Sequence, residues 1–146
     1  MLAERDVMPL LVEVCCSYEL KWQYLLQVWA KEKDRAGMID NKYLLYPALS
    51  DLVAHLIERY KQGDTFEIRK VFETAEFILN EGSRYAKEAI AIGLIKHLQN
   101  ACAEFGLDYA HFEPFLLPLC RLNWDHGLNE WESRVKRRIK QSRPRS

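Results

Sequence analysis

Asp51, His55 and Glu58 come nearest in this chain to a metal-ligand set, because steps of four and three stack two carboxylates and an imidazole on one helix face. Carboxylate oxygen and imidazole nitrogen are ordinary zinc ligands. A di-iron bundle, however, needs a Glu-x-x-His from each of two helices, and the chain has none. The face therefore reads as exposed and held by an intrahelical hydrogen bond, with no metal and no cofactor. Asp125-His126 beside Trp124 suggests an acid–base pair, but adjacent residues on a helix point in different directions. His97 and His111 have no nucleophile beside them in sequence. A phosphate-cradling Gly-rich loop, a G-x-S-x-G elbow and an H-E-x-x-H helix are all absent. The expectation is a non-enzymatic protein with no catalytic residues.

Cys15, Cys16, Cys102 and Cys120 lack C-x-x-C or Cys/His metal spacing, and the adjacent Cys15-Cys16 pair cannot easily bridge itself. They read as reduced core thiols. Gln99-Asn100 closes a largely apolar segment with two amides, which offer donors and acceptors to a partner's backbone. The simpler reading is that they satisfy loop carbonyls near the helix end. Trp124 and Trp131 lie seven apart on the last helix, a spacing more often found in a core than at an interface, although tryptophan is frequent at binding hot spots. With Arg121 and Asp125 beside Trp124, the partner-binding candidates are Gln99, Asn100, Arg121, Trp124 and Asp125.

The elements that must position these residues are helices. Ala89 to Ile95 are all small or aliphatic, so the segment has no polar face and belongs at the centre of a helical fold. Ser83 as N-cap and Gly106 just past Phe105 bound that helix at about 84–105. Asp6 caps a first helix through Val14, with Pro9 tolerated in its opening turn. Ser17 caps a second that runs to about Lys33, and Asp34 to Lys42 form a loop. A third begins near Tyr43 or Pro47, carries Leu49, Leu52, Val53, Leu56 and Ile57, and ends at Gly63. Asp64-x-x-Glu67 is a capping box for a fourth, stopped by Glu81-Gly82. Asp108 opens a short helix with Phe112 and Phe115, and Pro118 starts the last one. No segment sustains strand alternation, and no internal repeat emerges. The fold class is all-α: six or seven antiparallel helices, in a closed bundle or a short pseudo-solenoid, around the central apolar helix.

The 146 residues, 49% of them hydrophobic, suffice for one domain with its own core. The apolar run is too short to span a bilayer. Glu4, Arg5 and Asp6 precede any apolar run, so no signal peptide is expected and the expected compartment is the cytoplasm. The net charge of zero conceals an asymmetry. Seven basic residues and no acid follow Ser133, so residues 1–133 carry a net −7 and 134–146 a net +7. We read 1–133 as the helical domain and 134–146 as a basic helix end and tail.

Glu81-Gly82-Ser83, Glu88-Ala89, Gly93-Leu94-Ile95, Leu98-Gln99-Asn100 and Phe112-x-x-Phe115-Leu116 with Arg121 and Trp124 form a pattern. Leu44, Asp51-Leu52, His55-Leu56 and Gly63-Asp64 extend it upstream. Over roughly residues 8 to 133 the chain resembles a family of small, uncharacterised, all-helical bacterial proteins. Lys96 departs from that pattern, which often has an acid there, and the basic tail is particular to this chain. The resemblance implies no catalytic residues, and in size and setting such proteins resemble immunity proteins of polymorphic toxin systems. The expected function is therefore a protein-binding module that neutralises a toxin by steric occlusion, its acidic body speeding association with a basic partner. The alternative is a nucleic-acid-associated protein using the basic tail.

Overall fold

The computed structural model describes the backbone of residues 2–36 and 42–142 and the side chains of 2–32, 44–130 and Arg137. Its described residues form an all-α bundle of seven helices with no strand. These are α1 (Glu4–Val14), α2 (Glu19–Ala36), α3 (Lys42–Lys61), α4 (Phe66–Glu81), α5 (Arg84–Glu88), α6 (His97–Glu104) and α7 (Pro118–Ser142). Short 3₁₀ turns, Cys16–Tyr18 and Tyr109–Phe115, join α1 to α2 and α6 to α7. No helix among the described residues is long and apolar enough to cross a membrane.

Several boundaries follow from local chemistry. Gly63 adopts φ +81°, the left-handed conformation that closes α3, and Asp64 N–H donates back to Arg59 O at 3.0 Å. Ser83 Oγ accepts from Ala86 N–H at 3.2 Å, and Asp108 Oδ1 from Ala110 N–H at 2.9 Å, as the cap spacing predicts. α1 begins earlier than expected. Asp6 sits at its third position and accepts from Ala3 N–H at 2.8 Å, so Pro9 lies in mid-helix rather than in the opening turn. Pro9 leaves the Arg5 carbonyl without its usual helical donor, and both residues lie on the exposed side of α1. α3 begins at Lys42, beside Tyr43, the earlier of the two expected starts, and Pro47 lies inside it, with buried Leu44 and Leu45 anchoring the turn ahead of the proline. The N-cap of α4 is Thr65, which makes no side-chain cap bond, while the Asp64 carboxylate, paired with Arg59, accepts from the backbone N–H of Phe66 at the helix start.

The segment from α5 to α6 is one continuous helical run over 84–104, as the sequence indicates, but its middle, Ala89–Lys96, is π-helical. That stretch lies at the centre of the bundle, against α3, α4 and α7, and only Ile92 among its large apolar residues is markedly exposed. Gly93 faces α3 so closely that a Cβ there would lie 2.6 Å from Cδ1 of the fully buried Leu49. α4 also anchors the start of α7. Glu76 accepts from Leu119 and Cys120 N–H, both at 2.9 Å, which satisfies two donors of the opening turn and sets a negative charge on the positive end of the helix. α7 continues unbroken through Ser142, so 134–142 extend the same helix, whereas 143–146 lie outside the described residues.

Candidate functional site

The most densely connected polar cluster forms where α1 ends. Cys15 N–H donates to Val12 O at 3.1 Å, and the chain turns through Cys16–Tyr18 before α2 starts. Tyr18 is fully buried and donates its hydroxyl to Asp51 Oδ2 on α3 at 2.8 Å, which pins the turn against that helix. Ser17 is thereby held between α3 and α4. Its Oγ lies 2.7 Å from His55 Nε2 and bonds Glu67 Oε2, while its backbone N–H donates to Glu67 Oε1 at 3.2 Å. Cys15 Sγ donates to the same Oε2 at 3.3 Å. On the other edge of the imidazole, Lys21 Nζ lies 3.0 Å from His55 Nδ1.

One order of protons satisfies every contact. An ammonium can only donate, so Nδ1 accepts from Lys21 and the ring proton stands on Nε2, donating to Ser17; Ser17 in turn donates to Glu67. In that order His55 has no lone pair for the Ser17 proton, and Ser17 is not an activated nucleophile. Burial, then the charges of Lys21 and Arg59, hold the His55 imidazolium below its usual pKa. Burial raises Glu67, yet the donors Ser17 and Cys15 outweigh it and leave its carboxyl below the ordinary range. Burial and the Glu67 carboxylate push the Cys15 thiol up to about 12, so it is a neutral donor.

Of the face Asp51, His55 and Glu58, read as exposed, Asp51 and Glu58 are exposed and only His55 is not. His55 is only 5% exposed because the 3₁₀ turn and α2 cover it, Asp51 is taken by Tyr18, and Glu58 lies 3.6 Å from Lys21. The cluster also revises Ser17, which is no helix cap but part of this tertiary network. Among the described residues the one set of three ligand-type side chains is Cys15, His55 and Glu67, whose donor atoms all lie within 4.8 Å of one another. Of the four cysteines, Cys15, Cys102 and Cys120 are buried as expected, and Cys16 is exposed.

The partner-binding candidates are spread across the junction of α6 and α7. Gln99 is 8% exposed and donates to Trp124 O at 2.8 Å, a carbonyl within α7 rather than in a loop. Trp124 is fully buried, with Tyr109 edge-on to it at 6.0 Å, and its indole N–H has no acceptor among the described residues. Trp124 is thus core, and Gln99, though mostly buried, lines the groove between α6 and α7. Asn100 is exposed on the rim of this groove of about 330 Å³. Arg121 and Asp125 are exposed and paired at 3.4 Å, with Glu113 a further 3.7 Å partner of Arg121. Lys96 pairs with Glu130 across the same groove at 3.7 Å. His97 bonds Ser50 at 3.0 Å and His111 bonds Tyr60 at 2.9 Å, so each has a structural partner. The side chain of Trp131 lies outside the described residues.

A family described as a domain of unknown function (DUF7674) matches residues 8–132. The chain belongs to this family. Its match covers α1 through most of α7, and so includes both the Cys15–His55–Glu67 corner and the Gln99–Trp124 junction. No curated protein and no solved structure matches the chain.

Sequence reasoning missed the corner because each member had a local explanation: Cys15 as a core thiol, Ser17 as an N-cap and Glu67 as half of a capping box. The available signal was the polar interruption Cys15-Cys16-Ser17 between two apolar-periodic helices.

Proposed function

We propose that the chain is a non-enzymatic binding module whose acidic helical body receives a basic protein. The observation that carries this reading is the outer face of α2. Leu20 and Tyr24, one turn apart, are 84% and 68% exposed on the rim of an open groove of about 740 Å³ between α2 and α3, with Lys21 and Asp51 beside them. Large apolar side chains exposed side by side at a groove mark an interaction surface, and tyrosine is a frequent binding anchor. The net −7 of residues 1–133 favours a basic partner and speeds encounter with it. Within that class we favour a toxin domain blocked sterically, the partner that the family resemblance implies. Such blocking needs no reactive side chain, in keeping with a Ser17–His55 pair whose proton order leaves the serine unactivated.

Tagged protein recovered from its own cells, with each neighbouring gene product then co-expressed, tests the proposal. One stoichiometric basic protein, whose toxicity the chain relieves and whose binding is lost in the Leu20→Asp/Tyr24→Asp double variant, supports it. An acidic partner, or binding that survives the double variant, overturns it. Recovery of nucleic acid alone, lost as salt rises and on deletion of 134–146, would assign the activity to the basic helix end instead.

A further inference from the structure

We propose that Cys15, His55 and Glu67 form a binding site for one zinc ion, a site none of whose ligands lines the partner groove on α2, although Lys21 touches both. Thiolate, imidazole and carboxylate are the ligand types that zinc takes, and three protein ligands with a fourth position open is an established arrangement for it. The three side chains come from three separate elements: the end of α1, α3 and α4. None has a sequence neighbour that would make their convergence a by-product of helical spacing. Tetrahedral bonds of about 2.0–2.3 Å put ligand atoms about 3.3–3.8 Å apart. Cys15 Sγ and Glu67 Oε2 are already at 3.3 Å, and no separation in the set exceeds 4.8 Å, so side-chain rotation of about an ångström closes the triangle. A thiolate and a carboxylate also balance the 2+ charge, which suits a corner where Cys15 and His55 are both buried.

The proton inventory is specific. Cys15 gives its thiol proton to solvent, and Glu67 binds as the carboxylate it already is. His55 presents the Nε2 lone pair, so its one ring proton moves to Nδ1. Lys21 then leaves Nδ1 for Glu58, whose Oε2 is already 3.6 Å away. Ser17 is exposed, so its side chain swings outward from its place 2.7 Å from Nε2 and leaves the fourth position to water. One proton is released per ion bound. Lys21 is therefore a positioning residue that opposes the metal: it holds the tautomer in which Nε2 is blocked.

The test uses the full chain, purified with chelator and reductant and then desalted, titrated with cobalt(II) and displaced with zinc(II). The expected result is one equivalent bound, a thiolate-to-cobalt charge-transfer band in the near ultraviolet, tetrahedral visible bands, and loss of all three signals on displacement by zinc. Cys15→Ser abolishes the band and weakens zinc by more than about 100-fold, beyond the 10–100-fold typical of residues outside the coordination sphere. Cys16→Ser keeps the band, and His55→Gln and Glu67→Gln each weaken binding by more than about 100-fold, as loss of a ligand does. Lys21→Met tightens binding, a readout that a merely structural lysine would not move. It also keeps the proposal testable should Cys15→Ser fail to fold. Cobalt bound without a thiolate band, a band retained in folded Cys15→Ser, a band lost in Cys16→Ser, or unchanged affinity in Lys21→Met would each overturn the site.

Discussion

The Cys15–Ser17–His55–Glu67 corner and the Gln99–Trp124 junction both place polar groups inside the bundle, and they do so in opposite ways. The corner joins ionisable groups from four elements, with Ser17 and Lys21 at its edge exposed to water. The junction joins two neutral groups: Gln99 donates to a helix carbonyl, and Gly127 supplies the space. A Cβ at Gly127 would lie 2.6 Å from Gln99 Oε1, so a mid-helix glycine that costs about 1 kcal/mol in helix propensity is required by the close approach of α7 to α6. Burial alone therefore does not identify a reactive site. What separates the two is whether the groups can change protonation: the corner holds a thiol, an imidazole, a carboxylate and an ammonium, and the junction holds no ionisable group.

The largest effect falls on the indole buried at the junction. Trp124→Ala should remove about 3–5 kcal/mol of stability in chemical denaturation, because the indole is fully buried and its loss leaves a cavity between α6 and α7. A loss near that of a surface substitution would mean that the junction is loose. Glu67→Gln should cost about 2 kcal/mol, since Ser17 and Cys15 lose a charged acceptor that they share. Gly127→Ala should cost about 1–2 kcal/mol through the clash with Gln99, and the cost should largely vanish in a Gln99→Ala background. Additive losses in that cycle would refute the close-approach account. The smallest effect belongs to the exposed Arg121–Asp125 pair, where Asp125→Asn should change stability by no more than about 0.5 kcal/mol.

The pH dependence sharpens the contrast. The His55 pKa is depressed in the folded protein, so the unfolded chain takes up that proton first, and stability should start to fall as pH drops below the ordinary imidazole value of 6.5. Glu67 is also depressed. Its contribution is fully present above the ordinary 4.5 and should be lost as pH falls through its lower folded value. Denaturation midpoints measured between pH 7 and pH 4 should flatten in His55→Gln and keep their slope in Gln99→Ala. An unaltered slope in His55→Gln would show that the imidazole titrates alike in both states.

The helices themselves were legible. Ser83, Asp108 and Pro118 stand at the starts that their cap chemistry indicates, and Gly63 and Gly106, both at positive φ, close α3 and α6. Where expectations slipped, packing overruled a local preference: Pro9 is carried inside α1 by buried neighbours, and Ser17 and Glu67 serve distant partners instead of their own helix ends. The π-helical stretch was not legible, because an apolar run shows that a segment is buried and says nothing of how its carbonyls are spaced.

The sequence by itself determined the all-α class, the central placement of residues 89–95, most helix ends, and the division into an acidic body and a basic C-terminal end. These depend on residue type and on spacings of a few residues, which the chain carries locally. Only the tertiary structure decided that Cys15 and Ser17 meet Glu67 some fifty residues on, that His55 is covered rather than exposed, and that Trp124 is core. Such meetings are fixed by how α1, α3 and α4 pack together, and that packing is selected by apolar burial over the whole bundle, with no local pattern to record which polar side chains it will bring together.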